Sequence, residues 1–156
     1  MKISGHEKIR IYNERLQSLY GEVIRWLKEA DIPFTHLVED HALAEEHIGH
    51  YVAKKLIINQ DGEILAKFIP VGLLIIGAEG RVDLVGKSGK EILVYFSEGG
   101  PEMITGMSVG DNMIAENAVK IYGQKREGWH WIDDRITGKQ PEFTKDIFLA
   151  LLERIN

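Results

Sequence analysis

The sequence predicts an α+β domain: an antiparallel β meander of about seven or eight strands, packed by a long N-terminal helix and a short C-terminal helix. Residues 62–138 hold thirteen of the sixteen glycines, which separate short runs of branched and aromatic residues, as in strands joined by tight turns. Apolar residues recur at spacings of three and four over residues 9–30, and again after Pro141. We expect the meander to curl toward a half barrel.

Length, charge and composition limit the classes of function. The chain has 156 residues, so we expect a single domain spanning residues 1–156. With 19 basic and 24 acidic residues the formal charge is −5, which argues against a nucleic-acid partner. The absence of cysteine excludes disulfides and thiolate chemistry and suits the cytoplasm, our predicted location. No apolar run approaches the roughly 18 residues that a membrane span needs, so we expect no membrane partner.

The two helices are predicted from capping residues and apolar spacing. Ser4 followed by Glu7 matches a capping box, and residues 31–33 (DIP) end the helix that begins there. Thr144 is the predicted N-cap of the C-terminal helix. The predicted apolar stripe of the first helix comprises Ile9, Tyr12, Leu16, Leu19, Tyr20, Val23, Trp26, Leu27 and Ala30. That of the second comprises Ile147, Phe148, Leu151, Leu152 and Ile155.

The strands are predicted from apolar runs and the turns between them. Asp61-Gly62 separates two such runs and indicates a hairpin of residues 50–59 with residues 63–69. Turns rich in glycine then separate the further predicted strands, which cover residues 73–77, 81–85, 91–96, 103–109, 117–122 and 129–132. Because helices cover one face of this sheet, we expect function on its other face or at one open end.

Histidines cluster before the first predicted hairpin. His36, His41, His47 and His50 lie among several acids, and a helix over residues 40–48 would put His41 and Glu45 on one face. Imidazole and carboxylate groups on adjacent turns can bind a divalent metal, so His41, Glu46, His47 and His50 are the candidate ligands of a metal-dependent hydrolase. The spacing matches no zinc motif, and HExxH is absent. The alternatives are a solvated acidic helix and a pH-responsive interface.

Residues 80–84 (GRVDL), followed by a turn and the apolar strand 91–96, resemble part of the core of restriction-endonuclease-like nucleases. The resemblance covers about sixteen residues. It implies that Asp83 is a metal ligand of a hydrolase, but Val94 and Phe96 stand where that family carries an acid and a lysine. From strand geometry alone, Arg81 and Asp83 share one face and can form an ion pair.

The tryptophans of residues 129–135 (WHWIDDR) form another candidate surface. In a strand, Trp129 and Trp131 point to one face and His130 to the other. Such a pair either covers the core or forms a ligand platform, beside which Arg135 would lie.

The sequence favours a non-catalytic binding or interaction protein. P-loop, GxGxxG and GxSxG motifs are absent. We expect no cofactor, and a protein or small-molecule partner bound at a surface that includes Arg81, Asp83, Trp129, Trp131 and Arg135. The acidic charge suits an accessory or immunity-like role in which the protein masks a basic partner. A homodimer through the first helix or an exposed edge strand is compatible with either function.

Overall fold

A computed structural model describes residues 4–73, 78–97, 126–133 and 140–156. Two helices and six strands lie in this part of the chain. The helices are α1 (Gly5–Glu29) and α2 (Lys145–Ile155). The strands are β1 (Thr35–Glu45), β2 (Gly49–Gln60), β3 (Glu63–Gly72), β4 (Arg81–Val85), β5 (Lys90–Phe96) and β6 (Gly128–Ile132).

The strands form one antiparallel sheet in chain order, from β1 at one edge to β6 at the other. The α+β class and the meander are therefore confirmed. Asp61 and Gly62 join β2 to β3 with φ angles of 53° and 79°. Two successive positive φ values match the twist of a two-residue hairpin turn, as the Asp-Gly pair predicts.

The long first helix is confirmed. Ser4 caps it, because its Oγ accepts a hydrogen bond of 3.1 Å from the backbone amide of Glu7. After Ala30, Asp31 adopts a φ of 56° and ends the helix. Its buried side chains all belong to the predicted stripe: Tyr12, Leu16, Leu19, Tyr20, Val23, Trp26 and Leu27.

The second helix is also confirmed and closes the core beside the first. Thr144 Oγ1 accepts a hydrogen bond of 3.4 Å from the amide of Ile147. The ring of Phe148 lies 5.9 Å from that of Trp26 on α1 and 6.1 Å from that of Phe68 on β3. The main core therefore lies between the two helices and one face of the sheet.

Two expectations about the strands are wrong. The described residues contain six strands instead of seven or eight; the strands predicted at 103–109 and 117–122, and residues 74–77, lie outside the described residues. The helix considered for residues 40–48 does not form, because β1 pairs continuously with β2 up to Glu45. Pairing with β2 in a hairpin outweighs the weak local preference of this segment. The half-barrel curvature and the single domain stay predictions.

Among the residues that the structure describes, no helix is both long and apolar enough to cross a bilayer. The cytoplasmic location stays a prediction.

Candidate binding edge

The hairpin of β1 and β2 extends beyond the rest of the sheet. β2 has 12 residues, but only Leu56 to Gln60 pair with β3. Residues 49–55 pair with β1 alone among the described strands. We call residues 39–55 the arm. A three-residue turn joins its strands. In this turn the amide of Ile48 donates a hydrogen bond of 3.1 Å to the carbonyl of Glu45. Gly49 supports this turn with a φ of 92°.

Helix α1 binds the inner edge of the arm. Asn13 Nδ2 donates to the carbonyl of Val52 and its Oδ1 accepts from the amide of Lys54, both at 3.0 Å. The hydroxyl of Tyr20 donates to the carbonyl of Lys54 at 2.6 Å. The side chains of α1 therefore replace a neighbouring strand and satisfy backbone groups that β3 does not reach.

Burial shifts the pKa of Tyr20, the tyrosine that makes this contact. Burial raises the pKa of Tyr20 far above its usual value, and the charge of Tyr12 contributes less. Burial also raises the pKa of Tyr12, whose hydroxyl donates a hydrogen bond of 2.5 Å to the carbonyl of Arg81. Both phenols are therefore neutral donors at neutral pH.

The tip of the arm lies against the end of β3. Glu45 Oε2 accepts hydrogen bonds from the hydroxyl of Tyr51 and, at 3.1 Å, from the amide of Leu73. A Cβ on Gly72 would lie 3.1 Å from Glu45 Oε1, so glycine leaves room for this carboxylate. Burial, followed by the bond to Glu45, raises the pKa of Tyr51. The arm is thus fixed at its tip and at its inner edge.

The outer edge of the arm exposes backbone groups. Because Asn13 and Tyr20 bond Val52 and Lys54, those residues direct their amides and carbonyls away from β1. Their partners in the register, Ala42 and Asp40, must then direct theirs away from β2. Alternation along the unbroken strand gives the same direction to five residues: His36, Val38, Asp40, Ala42 and Ala44. No described strand pairs with this edge.

This edge lacks the usual protection against pairing with another chain. Natural edge strands carry proline, charged side chains and above all lysine, or a bulge, or are short. The charges of β1 are the acids Glu39, Asp40 and Glu45. β1 has 11 residues, contains no proline, lysine or arginine, and pairs with β2 without a register shift. Leu37 and Val38 are 41% and 48% exposed. The structure therefore places a long, regular and partly apolar edge in solvent.

The acids on β1 are balanced by lysines on β2. Lys54 bonds Asp40, and Lys55 Nζ lies 3.6 Å from Glu39 Oε2. Both acids are at least half exposed, so each pair stabilises the fold by less than about 1 kcal/mol. Their effect is to reduce the negative charge that an approaching strand would meet.

The structure separates the predicted metal ligands. His41 is a half-buried residue of β1, Glu46 and His47 are exposed in the turn, and His50 is exposed at the start of β2. Within the described residues, no group of three or more histidines and acids is arranged to hold a metal ion. Burial, and then the charge of Lys55, lowers the pKa of His41. The metal site stays a prediction without geometric support.

Arg81 and Asp83 form the predicted ion pair. Arg81 Nε and Nη2 donate to the two carboxylate oxygens of Asp83 at 2.8 and 3.1 Å. Lys90 Nζ lies 3.7 Å from Asp83 Oδ2. Asp83 is only 6% exposed. Val94 and Phe96, at the positions where restriction-endonuclease-like nucleases carry an acid and a lysine, are buried. Asp83 is therefore in contact with two cations of its own chain.

The two tryptophans pack onto the helical side of the sheet. Trp131 belongs to the buried core, and its Nε1 donates 3.1 Å to Glu91. Trp129 packs at the margin of the core, and its Nε1 donates 3.1 Å to the carbonyl of Arg15. These contacts favour the core-covering interpretation over a ligand platform. Arg135 lies outside the described residues.

A groove of about 530 Å³ lies between α1 and β6, next to Trp129. The guanidinium of Arg15 lies 4.1 Å from the ring centroid of Tyr95 and 3.7 Å from Glu79. The acids on its rim, Glu14 and Glu22, pair with Arg10 and Arg25 of the same helix. Each charged residue that lines the groove is thus paired with an opposite charge of the same chain.

No protein-family model matches the sequence, and neither a curated protein nor a solved structure is significantly similar to it. The edge of β1 therefore has to be interpreted from its own geometry.

Sequence reasoning missed this edge because residues 35–45 (THLVEDHALAE) alternate poorly and contain helix-favouring residues. The available signals were Thr35 and Val38, which favour strands, and Gly49 just after a short polar segment. They are too weak to decide between strand and helix.

Proposed function

We propose that this protein is a non-catalytic binding protein that adds an extended segment of a partner protein to its sheet at β1. The observation that carries the proposal is the outward row of backbone groups on a strand of 11 residues. In strand addition, backbone hydrogen bonds provide affinity, and alternate side chains provide specificity. β1 is one edge of the sheet, and the sequence predicts a working surface on the uncovered face or at an open end.

The rigidity of the arm supports this proposal. An edge that is already extended loses less backbone entropy on binding than a disordered segment, so more of the hydrogen-bond energy contributes to affinity. Asn13, Tyr20 and Glu45 hold the arm on its inner side and at its tip, and all leave the outer edge accessible. An accessory or immunity-like role by occlusion is compatible with such an edge. A metal-dependent hydrolase has no comparable support among the described residues.

The experiment measures hydrogen exchange of the individual backbone amides of β1. We expect the amides of Val38, Asp40 and Ala42 to exchange rapidly in the free protein at high dilution, and the amides of His41 and Leu43 to exchange slowly. On addition of a synthetic peptide of alternating valine and lysine, the first set should become protected. Equal exchange of both sets in the free protein would contradict the derived orientation of the backbone.

A proline variant tests whether the edge binds the peptide. Ala42→Pro removes an outward amide and no hydrogen bond to β2, so the fold should persist. We expect its peptide affinity to fall at least about tenfold, because the edge loses a donor and meets the proline ring. Glu46→Pro is the matched control, since it places proline in the turn at a position that favours it. Undiminished binding by Ala42→Pro would reject the proposed function.

A further inference from the structure

The sequence of β1 is self-complementary about Asp40. If a second β1 runs antiparallel with Asp40 opposite Asp40, Leu37 meets Leu43 and Val38 meets Ala42. In the same register Glu39 meets His41, and Thr35 meets Glu45. Leu37 and Val38 thus oppose apolar residues, His36 opposes Ala44, and the acid beside the axis, Glu39, opposes a histidine. Cross-strand pairs of these kinds stabilise a sheet.

We propose that the partner segment is β1 of a second copy of this chain, paired antiparallel about a two-fold axis at Asp40. The inference rests on the proposed function, since it uses the same edge, and it identifies the occupant. An isologous contact of this kind closes the assembly at two copies. It joins two six-stranded sheets into one.

Backbone geometry is compatible with this axis. The outward residues are His36, Val38, Asp40, Ala42 and Ala44, a set that is symmetric about Asp40. Each therefore meets an outward residue of the second copy. About ten interchain hydrogen bonds can form, two for each directly opposed pair.

The charge at the axis is compensated within each copy. The two Asp40 residues would lie in a hydrogen-bonded pair, with Cα atoms about 5.5 Å apart, which is the wider of the two antiparallel spacings. Each Asp40 already bonds Lys54 of its own chain. The axis therefore carries two acid–lysine pairs instead of two bare carboxylates.

Neighbouring registers are less favourable. An axis at Glu39 would bring two carboxylates to the closer spacing of about 4.5 Å between Cα atoms. An axis at His41 would set Leu43 against Glu39 and Leu37 against Glu45. Only the axis at Asp40 pairs all 11 residues of the strand. A contact through one edge is smaller than a standard interface, so we expect a dimer that dissociates in the micromolar range.

The oligomeric state is measured first. Sedimentation of the wild-type protein between about 1 µM and about 500 µM should change from monomer to dimer. Ala42→Pro should stay monomeric over this range, and Glu46→Pro should behave as the wild type. A dimer that persists in Ala42→Pro would overturn the inference, because the edge would not be its interface.

Cysteine variants test the register, and the wild-type chain has no cysteine to interfere. Asp40→Cys should form an interchain disulfide under mild oxidation, because Cα atoms about 5.5 Å apart suit that bond. Val38→Cys is the matched control on the same edge. Two copies of residue 38 would be roughly 13 Å apart and should not cross-link. Equal cross-linking of the two variants would overturn the register.

The remaining outcomes distinguish this inference from the proposed function. A monomer at every concentration that still binds the valine–lysine peptide at β1 would overturn the homodimer and support strand addition to another protein. A protein that stays monomeric and does not bind the valine–lysine peptide would overturn both the homodimer and the proposed function.

Discussion

The two edge strands of the sheet, β6 and β1, differ in whether a described segment pairs with their outer side. At β6, the amide of Trp131 donates to the carbonyl of Pro141 and the amide of Phe143 donates to that of Trp129, both at 2.9 Å. The segment before α2 thus pairs with residues 129–131 in the middle of β6, a strand of five residues. At β1, eleven residues present an outward row that no described segment covers. Within the described residues the shorter edge is therefore covered, and the longer one is open to pairing with another strand.

The contrast extends to packing. The covered end lies beside a cluster of aromatic rings from both helices, β3 and the segment before α2, including Trp26, Phe68, Phe143 and Phe148. The arm is bonded by Asn13, Tyr20 and the amide of Leu73, and only two of its residues, Tyr51 and Ala53, belong to the buried core. Stability should therefore be concentrated at the covered end, and binding at the arm.

The largest expected effect tests that division. Phe148 is fully buried, so Phe148→Ala should reduce the free energy of unfolding by about 3–5 kcal/mol. Val52→Ala on the arm is the control: Val52 is 45% exposed, and its loss should cost less than about 1 kcal/mol. Urea denaturation measures both. Similar losses would show that the arm contributes as much to stability as the covered end.

The contact between Tyr20 and the arm should appear as a pH dependence. The raised pKa of Tyr20 means that its contribution to stability is complete below about pH 10 and is lost as pH rises through the folded-state pKa. In Tyr20→Phe, the decline of unfolding free energy above pH 10 should be less steep by about 1.4 kcal/mol per pH unit. Denaturation at several alkaline pH values measures the slope. An unchanged slope would mean that Tyr20 ionises normally in the folded protein.

The hydrogen bonds from Asn13 to the arm should contribute less to the free energy of unfolding than the burial of Phe148. Asn13→Ala leaves the amide of Lys54 and the carbonyl of Val52 without their bonds, which should cost about 1–2 kcal/mol. Asn13→Asp keeps the acceptor for Lys54 and should fall between Asn13→Ala and the wild type. Gln17→Ala, an exposed change on the same helix, should be nearly neutral. Faster exchange of the Lys54 amide in Asn13→Ala would locate the effect on the arm.

The smallest effect concerns the pair of Asp40 and Lys54, whose side chains are 66% and 40% exposed. A double-mutant cycle with Asp40→Ala and Lys54→Ala, measured at monomer concentrations, should give a coupling below about 1 kcal/mol. A larger coupling would mean that this pair helps to hold the arm, and the contrast between the two ends would narrow.

The sequence was informative where one segment carried its own signal. Ser4, Thr144 and the apolar stripes predicted both helices, because caps and helical spacing are local. Asp61-Gly62 predicted a hairpin for the same reason. The ion pair of Arg81 and Asp83 followed from their alternation in one strand.

The candidate site was less accessible to such reasoning. The four residues proposed as metal ligands, His41, Glu46, His47 and His50, lie within ten residues of sequence but are distributed over a strand, a turn and the next strand. The sequence by itself determined the α+β class, the helices, their caps and the Asp-Gly turn, since each depends on neighbours within a few residues. Only the tertiary structure decided that residues 35–45 form a strand and that its edge is open. Both depend on contacts between elements that the pattern of residues 35–45 does not encode: the register with β2, the bonds from Asn13 and Tyr20 on α1, and the end of the β2–β3 pairing at Leu56.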